Sequence, residues 1–146
     1  MLPDQLQLTK ILREPTETNI NERAEYTAQT VRVSINTANS NLDGTGTITS
    51  VITSASNGTQ IKSVYIQAIT TTSEGMIRFF VFNGANYYLI DEIRVPATQK
   101  SGTQAAWELA YDLEYSLTPG YSLAVSTENA DTFIITATGL DWTYPY

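Results

Sequence analysis

The chain has 146 residues, no Cys, no His, and fifteen acidic against eight basic residues, for a formal net charge of −7. One domain of that length can bury a full core, and the missing imidazoles and thiols exclude Ser-His-Asp, Cys-His and thiolate-zinc chemistry. The acidic balance argues against phosphate backbones and anionic membrane surfaces, so neither nucleic acid nor membrane is an expected partner.

Residues 1–24 differ from the rest. They hold Asp4, Lys10, Arg13, Glu14, Glu17, Glu22 and Arg23, with Pro3 and Pro15 as breakers. Nothing there can bury a core, and the segment reads as an extended N-terminal arm. It has neither the basic region nor the apolar run of a signal peptide, so synthesis in the cytoplasm of whatever cell makes it is expected. No stretch reaches the ~20 apolar residues of a membrane-spanning helix.

From residue 25 to 146 the pattern has period two. Val31, Val33 and Ile35 alternate with Arg32 and Ser34. Asn39–Gly46 has turn composition, Thr47–Ser54 alternates again, and Ser56-Asn57-Gly58 turns the chain into a strand carrying Val64, Ile66 and Ala68.

The strongest local signal is Met76–Phe82, then Asn83-Gly84-Ala85-Asn86, then Tyr87–Val95. Two runs of β-branched and aromatic residues around an Asn-Gly turn predict a β-hairpin. Strict alternation sends Ile77, Phe79 and Val81 one way and Met76, Phe80 and Phe82 the other, with Arg78 between them. On the returning strand Tyr87, Leu89, Ile93 and Val95 share a face, and Tyr88 and Ile90 begin the opposite one. A strand with one wet face should alternate apolar with polar. The apolar second face therefore needs a covering, and Arg78, Phe80, Phe82, Tyr88 and Ile90 become the candidate interface residues.

Pro96 closes the hairpin. Trp107, Leu109, Tyr111 and Leu113 alternate with Glu108, Ala110, Asp112 and Glu114, as in one half-buried strand. Thr118-Pro119-Gly120 suits a type II turn, and strands around Leu123–Val125 and Phe133–Ala137 follow. The expectation is an all-β antiparallel sandwich of about eight strands. Jelly-roll and immunoglobulin-like topologies remain equally open.

Little in this pattern supports catalysis. Asp91 and Glu92 are adjacent and must face opposite ways on a strand, while Asp112 and Glu114 sit on a solvated face. Asp43-Gly44 and Glu128–Asp131 do not fit the twelve-residue calcium loop and read as turns. Trp142, Tyr144 and Tyr146 recur at alternate positions, which fits packing against the domain or, less simply, stacking on a sugar. No catalytic residue, metal or cofactor is expected.

Thr70–Gly84, Tyr88–Ile93, Leu117-Thr118-Pro119-Gly120-Tyr121-Ser122-Leu123 and Ser126–Ala130 together resemble a recurrent small virion protein of tailed bacteriophages. The resemblance spans about residues 40–140 and leaves out the arm. It implies a β-sandwich structural protein of the capsid exterior, of the auxiliary or decoration type. Its implied partners are the major capsid protein, other virion proteins or further copies of the chain. No catalytic residues come with it. A carbohydrate-binding or host-adhesion module on the particle is the alternative.

Overall fold

A computed structural model describes residues 25–143. The proposed arm and the aromatics Tyr144 and Tyr146 lie outside those residues. Nine strands follow in order: β1 (Tyr26–Ile35), β2 (Thr49–Thr53), β3 (Thr59–Ala68), β4 (Gly75–Phe82), β5 (Tyr87–Val95), β6 (Glu108–Tyr111), β7 (Tyr115–Leu117), β8 (Ser122–Thr127) and β9 (Phe133–Trp142). They form two antiparallel sheets. One runs β1-β9-β3-β6, with β7 also pairing β3, and the other runs β2-β8-β4-β5.

The strand order settles the topology that the sequence left open. With β6 and β7 taken as one broken strand, the first strand pairs the last and the second pairs the second-last. The pattern continues inward to the β4–β5 hairpin. Apart from the broken β6–β7 strand, only that hairpin joins consecutive strands within one sheet. The other connections between long strands cross from sheet to sheet. This is a long hairpin rolled into two layers, a jelly roll, and not the ABED/CFG order of an immunoglobulin domain.

The core lies between the sheets. Ile35, Ile52, Ile61, Val64, Ile66, Ile77, Phe79, Leu123, Val125, Phe133 and Ile135 fill it, and Trp107 packs edge-on against Phe133 with ring centroids 6.3 Å apart. Most came from the period-two pattern. One polar group is built in at the end of the five-stranded sheet. Asp141 accepts bonds from Gln29 Nε2 at 2.6 and 2.8 Å and from Thr59 Oγ1 at 2.6 Å.

Two expectations need correction. The single strand expected over Trp107–Glu114 breaks after Tyr111, and the chain resumes pairing with β3 only at Tyr115. Alternation also fails on β5. A bulge between Phe79 and Phe80 leaves Ile90 as the extra residue, since Phe80 opposes Leu89 and Phe79 opposes Asp91. One extra residue reverses the faces of everything on one side of it. Tyr87 and Leu89 therefore share the outer face with Phe82 and Phe80, while Ile93 and Val95 enter the core.

Candidate contact surface

The hairpin turn has the predicted construction. Asn83 Oδ1 accepts bonds from the Ala85 and Asn86 amides, both at 2.9 Å, and Gly84 supplies the left-handed conformation at φ 98°. The outer face beyond it is apolar as expected. Phe82 stacks on Tyr87 with centroids 4.4 Å apart, and Phe80 meets the same ring edge-on at 6.5 Å.

That face is covered by the chain itself. Phe80 is 0% exposed and Arg78 only 7%, yet Phe80 does not belong to the inter-sheet core. Its cover is the loop between β1 and β2. Asn39 N donates to Thr127 O at 2.8 Å, which ties the start of the loop to the end of β8. Five residues later Gly44 sits against Tyr87 on β5, on the far side of β4. A segment touching both β8 and β5 on this face crosses β4 above Arg78 and Phe80.

The loop holds its shape through short side chains. Asn39 Nδ2 donates to Thr45 O at 3.0 Å and Thr47 O at 2.9 Å, and its Oδ1 accepts from the Asn41 amide at 3.0 Å. Asp43 Oδ1 accepts from the Thr45 hydroxyl at 2.6 Å and amide at 3.1 Å, and these bonds, the hydroxyl first, hold its carboxyl below the usual value. This carboxylate closes a turn, as the sequence suggested.

Arg78 is a charged anchor beneath the loop. Its Nε donates to Glu92 at 2.8 Å and one terminal nitrogen to Glu128 at 3.3 Å. Its Nη1 and the Ser126 hydroxyl directly across the ladder have no protein partner. Glu92 thus faces outward to Arg78. Asp91 faces the other sheet, where it accepts a hydrogen bond from the Tyr111 hydroxyl and raises the pKa of that phenol. The two adjacent carboxylates do point apart.

Of the five candidate interface residues, then, Arg78 and Phe80 are buried under their own loop. Ile90 packs against the core, and Phe82 is half-buried against Tyr87. Tyr88 is 54% exposed, but it opposes Val81 and so belongs to the other side of the sheet. The five do not form one surface. Sequence reasoning missed the cover because a loop of Asn, Ser, Gly and Thr carries no apolar signal. Its only mark was length.

No protein-family model matches the chain, and no curated protein does. Among solved structures it is similar to a chain of the acidic stable capsid structure of Helicobacter pylori bacteriophage KHP30. The TM-score is 0.50 at 6% identity, over 81% of this chain and 91% of that one. At such low identity the likeness is one of fold.

Other carboxylates perform structural tasks. Asp131 accepts the Ser73 amide at 2.8 Å, Glu108 accepts the Tyr65 hydroxyl, and Glu114 lies 3.9 Å from Lys62. Among the described residues no three acidic groups gather as a metal site would need. One surface groove, about 240 Å³, runs between the Asn57-Gly58 turn and the Thr118-Pro119 turn, with Trp142 as its aromatic wall.

Proposed function

We propose that the protein is a bacteriophage virion structural protein, an accessory or decoration protein bound to the major capsid lattice on the outside of the particle. The observation that supports this most is the likeness in fold, over 81% of this chain, to a chain of a phage capsid structure. The reading includes the absence of enzymatic activity and of any cofactor. The sandwich also suits the role physically. Its apolar outer face is closed by its own loop, so the folded chain stays soluble at −7 charge until it meets the lattice.

Mass spectrometry of gradient-purified particles tests this reading. The chain should be present in many copies per particle and should leave under conditions that spare the shell. Its absence from purified virions would refute the proposal.

A second reading, host adhesion by carbohydrate binding, draws on the groove beside Trp142, whose other walls are Asn57, Gln60, Ser116 and Thr118. Aromatic walls with amide and hydroxyl rims suit sugar rings. Quenching of Trp142 fluorescence by a glycan would favour it, and a lattice binder should show no such response.

A further inference from the structure

A two-sheet sandwich has four edges, and exposed edges invite pairing with other chains unless they are blunted. Three edges here are blunted. β2 has five residues and a register shift between Ser50 and Ile52. β5 carries the bulge at Ile90 and the charges Asp91, Glu92 and Arg94. The β6–β7 edge is split into pieces of four and three residues.

β1 has none of these devices. Its ten residues pair with β9 in unbroken register, without bulge or proline, and no strand among the described residues pairs with its other side. Its only charge is Arg32. Its outward residues Ala28, Thr30, Arg32 and Ser34 are exposed, and they lie across from Leu140, Thr138, Thr136 and Ile134 of β9, all uncharged.

We propose that two copies of this chain join along β1, antiparallel about a two-fold axis near Thr30, so that the two five-stranded sheets become one. The edge is self-complementary about Thr30, which fits a second copy as the occupant, and charge singles out β1 as the edge where that copy can approach. Two molecules carrying −7 each repel, and the β5 and β6–β7 side would oppose Asp91, Glu92, Glu108, Asp112 and Glu114 to themselves. β1 is a sheet edge free of carboxylates. In the register centred on Thr30, Arg32 meets Ala28, Tyr26 meets Ser34, and Thr30 meets Thr30, a favourable cross-strand pair with no like charges in contact. The seam is a ladder of main-chain bonds about 34 Å long. Such a small interface gives a weak dimer that a lattice of binding sites would reinforce.

The test is sedimentation velocity on the full chain over a rising concentration series. It is repeated for Thr30→Glu, for Thr30→Lys and for an equal mixture of the two. Thr30 is exposed, and thermal melts would verify that both variants keep the fold. The wild type should pass from monomer to dimer, each variant alone should stay monomeric, and the mixture should dimerise again as a heterodimer. A wild type monomeric up to its solubility limit would overturn the proposal, as would a dimer that neither variant weakens. A monomer whose outward β1 amides resist hydrogen exchange would also overturn it, by assigning the edge to another part of the same chain.

Discussion

Gly44 lies so close to Tyr87 that a β-carbon on it would stand 2.5 Å from the Tyr87 carbonyl oxygen. The backbone there is left-handed, at φ 87°. This contact latches the β1–β2 loop to the β4–β5 hairpin, and it converts the apolar outer face of the hairpin from a free surface into a second, smaller core.

Gly44→Ala should therefore open the cover. The backbone conformation alone costs about 1–3 kcal/mol for a residue with a side chain, and the overlap with Tyr87 adds to it. Gly84→Ala is the control, because Gly84 has a similar φ but nothing within 4 Å of its added carbon. Denaturant unfolding should show the larger loss for Gly44→Ala, with new binding of an apolar dye.

Phe80 and Tyr88 should separate folding from contact. Phe80→Ala removes a fully buried ring and should cost about 3–5 kcal/mol. Tyr88→Ala, at an exposed position, should change stability by no more than about 0.5 kcal/mol. Chemical denaturation of the two variants measures both. Equal losses would contradict the burial of Phe80 beneath the loop.

Arg78 pairs with Glu92 and Glu128, whose side chains are 39% and 37% exposed and can rehydrate when the partner is lost. Arg78→Ala should thus cost only about 1–2 kcal/mol, nearer a surface pair than a buried one. Arg78→Met, which keeps the stem packed under the loop and removes the unpartnered Nη1, should cost less. Thermal melts of the two variants decide the order.

The Tyr111 phenol donates to Asp91, and that bond, with some burial, raises its pKa above the usual tyrosine value. A group whose pKa is higher folded than unfolded adds stability below its unfolded value, near 10, and loses it as pH climbs through the folded value. Stability should therefore fall more steeply above about pH 10 in the wild type than in Tyr111→Phe. Urea midpoints measured across that range give the comparison, and parallel curves would contradict a raised pKa at Tyr111.

Where the sequence was legible, the reason is local. The Asn83–Asn86 turn rests on the Asn83 side-chain acceptor and the Thr118–Tyr121 turn on a main-chain bond from Tyr121 N to Thr118 O, each with a Gly at positive φ, and both were readable from residue type. The core positions Val64, Ile66 and Ala68 of β3, Ile77, Phe79 and Val81 of β4 and Phe133, Ile135 and Ala137 of β9 follow from alternation, whereas a register shift between Ile61 and Ser63 puts Ile61 out of step. What escaped depends on distant parts of the chain. Nothing near Ile90 marks it as the extra residue of a bulge, because the bulge is defined by its pairing with Phe79 and Phe80. The covering loop is polar by composition and buries Phe80 by its path alone. The rolled topology depends on which strands meet, and β1 meets β9 from the opposite end of the described chain.

A reconstruction of the purified virion tests the proposed decoration role. Density for the nine-strand jelly roll should repeat over the outer surface of the capsid, seated on the major capsid protein. Density for it confined to the tail, or found nowhere on the particle, would contradict the claim.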